Sequence, residues 1–260
     1  MNQLDRKQII LNQQNSLNRT SVYVPITSGQ IVKHLADNNL QLTDTVLTKP
    51  RNKNREGYQK HMLRFQSREL NLRGIADSVP EIVIVNSYDG STSLQIKIGI
   101  FRLVCANGLI IGNTYAQQSL RHAGNVLDNL NLAIDNTIKQ LPIAASQIAQ
   151  FSAIQTTSEI GREFASRVSK LIFPEQSDDS KVQFSLDDML RTRRGQDNTL
   201  TLWHTLNVLQ EVAIRGGLTY FKTDDNKTIK NTTRAVKSIQ RQVELNEAIW
   251  VIASELAGET

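Results

Sequence analysis

Residues 81–112 read EIVIVNSYDGSTSLQIKIGIFRLVCANGLIIG, and this stretch decides the fold. Asp89-Gly90 and Asn107-Gly108 each sit between apolar, β-branched runs. Such dipeptides are the strongest short-range signal for tight hairpin turns, because Asp, Asn and Gly tolerate the positive φ those turns demand. The stretch is therefore expected to form a three-stranded antiparallel meander, with Cys105 packed in an apolar strand. Asn86 and Ser87 can lock the first turn, and the Asp89 carboxylate can accept nearby backbone N–H groups.

Upstream, Thr27-Ser28 followed by Gln30-Ile31-Val32 and Leu35 reads as a capped short helix ended by Asn38-Asn39. Leu40 to Leu47 alternates as a half-buried strand does, and alternation returns over Gly57 to Gln66. Between them Lys49-Pro50-Arg51-Asn52-Lys53-Asn54-Arg55 has the composition of an exposed loop, which makes a β-hairpin with a basic tip. Residues 1–20 are Asn- and Gln-rich and read as a mobile arm with a short helix around Arg6 to Leu11.

Downstream, the apolar spacing lengthens to three and four. Val126, Leu130, Ala133-Ile134, Ile138 and Leu141 predict a helix that stops before Pro142. A second helix is expected over Ile143 to Ile172, with an interruption at Thr156-Thr157-Ser158 or Gly161. Pro174 to Ser180 reads as a linker, and Ser185 caps a short helix leading into a basic loop, Arg191-Thr192-Arg193-Arg194-Gly195. Two further helices are expected, Asp197 to Arg215 closed by Gly216-Gly217, and about Thr233 to Leu256. The fold class is α+β: an N-terminal antiparallel meander with a short helix, then a helical C-terminal half. The expected organisation is an arm over 1–20, an α+β core over 21–172 and a helical region over 181–260.

The first segment resembles the phage- and plasmid-borne family catalogued as domain of unknown function 932. Its hallmark is an Asn-Ser-aromatic-Asp-Gly-Ser turn followed by Phe-Arg-Leu-Val-Cys-x-Asn-Gly-Leu, here Asn86 to Ser91 and Phe101 to Leu109. The C-terminal half is similar to the family's downstream signature at Leu202-Trp203, Leu206-Asn207, Gln210-Glu211, Arg215-Gly216-Gly217, Thr233-Arg234, Leu245-Asn246 and Ile249-Trp250. The resemblance runs from about Tyr23 to Leu256 and implies residence on mobile elements; it carries no catalytic site. In element order alone, a helix, a basic hairpin, a meander and a helix also resemble the core of Rad52-like annealing proteins. Fold analogy of that kind does not establish function.

The 260 residues carry 30 Lys plus Arg against 25 Asp plus Glu, a formal charge of +5, which permits a polyanionic partner. From Lys49 to Arg73 there are eight basic residues against Glu56 and Glu69. The expected phosphate contacts are Arg51, Lys53, Arg55, Lys60, Arg64 and Arg68 of that segment, Lys97 and Arg102 of the meander, and Arg191, Arg193 and Arg194 of the second basic loop. Tyr58, Phe65, Tyr88 and Phe101 are available either to stack bases or to pack. Trp203 and Trp250, among Leu and Ile, read as core.

Enzymatic readings find little in the residues. The four histidines, His34, His61, His122 and His204, form no paired metal motif, and one cysteine supplies no thiolate cage. Phosphate-cradling, dinucleotide and nucleophile-elbow glycine motifs are absent. A restriction-type nuclease would need a carboxylate where Gln95 precedes Lys97. No cofactor or metal is expected, and no run reaches the length of a bilayer span.

The expected function is nucleic-acid binding, with single-stranded DNA bound or annealed in recombination or replication by a cytoplasmic homo-oligomer. The alternatives are a phage or plasmid protein-interaction module and a cryptic metal-dependent nuclease.

Overall fold

The computed structural model describes residues 3–13, 26–49, 53–66, 78–102, 107–110, 117–120, 126–174, 182–193, 200–224 and 227–258. The chain divides into two compact units, Met1–Ala144 and Ala145–Thr260. The division falls inside one helix, later than the arm boundary and earlier than the linker expected from composition. Strands fill the first unit and helices dominate the second, as the α+β reading expects.

The first unit is built on a six-stranded antiparallel sheet: β1 (Gln41–Leu47), β2 (His61–Gln66), β3 (Ser78–Asn86), β4 (Leu94–Arg102), β5 (Asn107–Ile110) and β6 (Gln117–Leu120), in the order β1-β2-β3-β4-β5, with β6 also on β4. β3 takes one edge of β4; β5 and β6 follow one another along the other, opposite Gly99–Arg102 and Leu94–Lys97 respectively. One face carries Leu63, Phe65, Ile82, Ile84, Leu94 and Ile96 against Ile31 and Leu35 of α2 (Ser28–Asp37) and Leu130 and Ile134 of α3 (Val126–Ala153). β2 and β3 are buried on both faces, since Met62, Val83 and Val85 are as inaccessible as their neighbours. α2 starts with a capping box: Thr27 accepts from Gln30 N, and the Gln30 side chain accepts from Thr27 N.

Where a mobile arm is expected, α1 (Gln3–Asn12) is built into the unit. Ile10 is fully buried, and Lys7 pairs with Asp44 of β1 at 3.0 Å. The β1–β2 hairpin forms, but its strand starts at His61 rather than Gly57, because Lys53–Arg55 turns as a 3₁₀ segment and Gly57 takes φ +89°. Asn107 and Gly108 make no turn. They pair with Arg102 and Phe101 within β5, so the β4–β5 connection, with Cys105, lies outside the described residues.

α3 runs through Pro142 to Ala153 instead of stopping before it. The ring removes one backbone donor, at a cost of about 3 kcal/mol. Against that, the apolar stripe continues without a break through Leu141, Ala144, Ala145, Ile148 and Phe151, all buried. The helix ends instead where the second interruption is expected, and α4 (Ser158–Ile172) starts from Thr157, which accepts from Ile160 N.

The second unit packs α4, α6 (Leu202–Arg215) and α7 (Ile239–Leu256), with the short α5 (Leu186–Met189) capped by Ser185 as expected. α6 starts at Leu202, after the Thr201 cap, and α7 at Ile239, after the Ser238 cap; both begin several residues later than their periodicity suggests. Trp203 and Trp250 are 3% and 0% exposed, and the Trp250 ring lies 5.2 Å from that of Phe151. A three-stranded sheet that the sequence reading missed, β7 (Val182–Gln183), β8 (Thr219–Asp224) and β9 (Lys227–Thr232), completes the unit in that order. Among the described residues no helix is long and apolar enough to cross a membrane.

Candidate functional site

The Asn86–Ser91 turn is held by several hydrogen bonds of its own side chains. Ser87 N donates to Asn86 Oδ1, Ser87 Oγ bonds to both backbone groups of Thr92 available to it, and Ser91 N donates to Asp89 Oδ1. Gly90 takes φ +73°, so the expected turn chemistry operates here, in a connection of seven residues between β3 and β4. Tyr88 points inward and is 1% exposed. Its hydroxyl accepts from Ser28 N at 2.5 Å and donates to Ile10 O at 3.1 Å, tying α1 and α2 to the turn.

Beside Tyr88 lies His61, fully buried, with ring centroids 5.2 Å apart. Nδ1 lies 2.9 Å from Gln59 O, which can only accept, so Nδ1 carries the proton. Nε2 then accepts from Ser28 Oγ at 2.6 Å. Burial pushes the imidazole down to about 4, against smaller upward pulls from the Gln59 carbonyl and Asp89. A serine donating to a neutral histidine has the polarity of a general-base pair. Both residues are 0% exposed, however, so no substrate reaches them, and the pair acts as packing.

The sequence-predicted phosphate contacts fall in different environments. Arg64 is buried against Glu81, which also accepts from Gln66 Nε2 at 2.8 Å. Lys97 is 1% exposed on the same face of the sheet, two positions along from Glu81 in register. Both read as solvent-facing in an alternating strand, but the strands are covered on both sides. Arg55 is exposed and 3.9 Å from Asp89; Lys60 is half-buried. Arg51, Arg68 and Arg194 lie outside the described residues, as do the side chains of Lys53 and Arg102. Phe65 and Tyr88 are core, which removes them as base-stacking candidates.

In the second unit the downstream signature is also internal. Gln210 Nε2 donates to Asn246 Oδ1 at 3.0 Å, joining α6 to α7, while Asn207 and Asn246 bond back to Trp203 O and Gln242 O. The Glu211 carboxylate, 7% exposed, sits 3.8 Å from both Arg193 and Arg215. Arg193 also donates to Gly216 O, and Arg191 pairs with Asp188 at 3.1 Å. Gly216 has φ +71°, and a Cβ there would lie 2.5 Å from Thr233 O. The two arginines border a cleft of about 210 Å³ with Thr192, Gly217 and Thr219. His204 Nδ1 contacts Thr201 Oγ1 at 2.7 Å, the boundary hydrogen bond its position suggests.

The β8–β9 hairpin and the segment after it behave differently. Lys222, Lys227, Lys230, Arg234 and Lys237 are exposed, and none has an ion-pair partner among the described residues. By contrast Arg162, Arg167, Arg191, Arg193, Arg215 and Arg241 all pair with carboxylates. Phe221 and Ile229 are 43% and 49% exposed on the same hairpin. These residues were missed because Lys, Asn and Thr dilute the apolar alternation. The available signal was Asp224-Asp225-Asn226 between two runs holding Thr, Tyr, Phe and Ile.

Among the described residues, no group of three or more His, Cys, Asp or Glu is placed to hold a metal ion. Asp89, the acid of the nuclease alternative, is engaged by Ser91 N and lies near Arg55.

Comparison with known proteins gives one consistent result. A family model described as "Domain of unknown function (DUF932)" matches residues 19–250. Two relatives from Escherichia coli (strain K12), "UPF0380 protein YfjQ" and "UPF0380 protein YafZ", are each 30% identical over 238 residues, covering 92% of this chain and 84% of the relative. No solved structure matches. On the extent of the family match and the two relatives, the chain belongs to the DUF932 family.

Proposed function

We propose that this chain is a nucleic-acid-binding protein that holds a single strand by its phosphates in recombination or replication. One observation carries the reading: among the described residues the cations of β8, β9 and the following segment have no carboxylate partner, while Arg162, Arg167, Arg191, Arg193, Arg215 and Arg241 of the same unit are paired. Exposed cations with no internal partner can neutralise phosphates and so release the counterions condensed on a nucleic acid, and this term supplies essentially all of non-specific affinity. Lys49, exposed in the first unit, supplies the same kind of contact there, while the exposed Arg55 already faces Asp89.

Annealing by a homo-oligomer is the finer form of the proposal. Trp203 and Trp250 are already buried, so assembly would use other surfaces. The interaction-module alternative needs no phosphate contact, and the nuclease alternative needs a metal. The deciding experiment is a gel-shift series with single-stranded DNA, duplex DNA and RNA at several salt concentrations, with and without Mg²⁺. Salt-dependent binding without cleavage supports the proposal. Salt-insensitive or absent binding favours the interaction module, and Mg²⁺-dependent products favour the nuclease. Light scattering of the free protein tests assembly against the 29.2 kDa of one chain.

A further inference from the structure

Residues of a strand alternate between its faces, and directly paired residues share a face. In the β8–β9 ladder Thr219 pairs with Thr232, Phe221 with Lys230 and Thr223 with Thr228. One face of this hairpin therefore carries an aromatic ring, an ammonium and four hydroxyls, with no carboxylate. From the other side Gln183 of β7 pairs with Phe221, so the ring is flanked by an amine and an amide.

Packing does not account for the ring. Tyr220, on the opposite face, is the aromatic residue of β8 engaged inside the unit, its ring 5.2 Å from that of Phe173, which stacks on Phe184 at the same distance. Phe221 is left 43% exposed. Addition of a protein strand to β9 does not suit the edge either. Lys227 and Lys230 stand on it, and edge lysines are how sheets resist further strand pairing.

We infer that this face is a single-strand subsite, in which Phe221 stacks an unpaired base and Lys230 neutralises the adjacent phosphate. The inference rests on the nucleic-acid reading above and adds its substrate class: bases free to leave a duplex, taken without regard to sequence, because every base has a π-face. In a duplex the base faces are already stacked on one another, so the ring has nothing to grip and the lysines alone contribute. Thr223 and Thr228, whose hydroxyls are 3.0 Å apart, extend the face with neutral donors beyond the ring.

The test compares wild-type protein, Phe221→Ala, Phe221→Leu and Lys230→Ala on three fluorescent probes: oligo(dT), an abasic strand of equal length and a duplex. Stacking on an aromatic side chain is worth about five- to 150-fold in affinity per base. Phe221→Ala and Phe221→Leu are expected to weaken oligo(dT) binding by a factor in that range and to leave the abasic strand and the duplex unchanged. Lys230→Ala is expected to weaken all three. If wild-type protein binds all probes and both Phe221 variants match it on oligo(dT), the subsite is overturned while the nucleic-acid reading stands. If wild-type protein binds none of the probes, both fall. Equal losses on all three probes with Phe221→Leu would also overturn the stacking role, since a ring with no base to meet cannot lose contact with one.

Discussion

Two turns of this molecule, each made of Asp, Asn and Gly or Lys, have opposite characters. The β3–β4 turn is tied on all sides: Tyr88 reaches two helices, Ser87 closes on Thr92, and His61 is buried beside it. The β8–β9 hairpin exposes a phenylalanine, an isoleucine and three lysines that nothing described neutralises. The turn with the clearest motif is the one whose side chains are already used internally. The hairpin with no motif has its chemistry free. Density of recognisable residues thus marks fold here, and leftover charge marks the surface proposed to meet a partner.

The largest expected effect on the first side comes from the buried charges of the neighbouring strands. Glu81→Ala removes the carboxylate that faces Arg64, and losing one member of a buried pair costs about 3–5 kcal/mol. Urea denaturation should show a loss of extrapolated unfolding free energy of that size, read as a lower midpoint at unchanged slope. A loss under about 1 kcal/mol would mean that this face is wetter than its burial indicates.

His61 gives the next effect, readable without mutation. Its folded value is about 4, below the usual 6.5, so between those values the unfolded chain binds a proton that the folded chain refuses. Stability from this group is therefore fully present above pH 6.5 and is lost as the pH falls toward 4, by about 3 kcal/mol in all. His61→Gln should be less stable at neutral pH and flatter across that window. An unchanged slope in the variant would place the acid sensitivity elsewhere.

Gly90→Val is smaller, on the order of 1–2 kcal/mol, because a β-branched residue is forced to φ +73° at an exposed position. Nucleic-acid affinity of the folded variant should match wild type. Normal stability with lost binding would reverse the comparison, making the motif turn the contact surface.

How much of this was legible follows from what each sequence signal reports. Caps and C-terminal glycines act within a few residues, so Thr27, Ser185 and Gly216 were readable, as was the meander over β3 and β4. Pro142 misled because its cost is local while the apolar stripe that outweighs it, from Leu141 to Phe151, runs for about three turns. Arg64 and Lys97 misled because alternation tells which residues share a face, not whether that face meets water. Asn107-Gly108 has turn composition but strand position, since pairing with β4 sets the register. The candidate site was least legible. A cation without a partner is defined by what is absent around it in space, and no spacing along the chain records that.

The central claim is that the β8–β9 cations contact phosphate while the signature residues hold the fold. Replacing Lys222, Lys227 and Lys230 together by Ala touches exposed side chains only, so stability should stay within about 0.5 kcal/mol of wild type. The decisive measurement is the salt dependence of single-stranded DNA affinity, by fluorescence anisotropy, for wild-type protein and this triple variant. Each phosphate contact contributes about 0.7 to the slope of log K against log salt, so the variant's slope should be shallower by about 2. Equal slopes and equal affinities for the two proteins would contradict the claim.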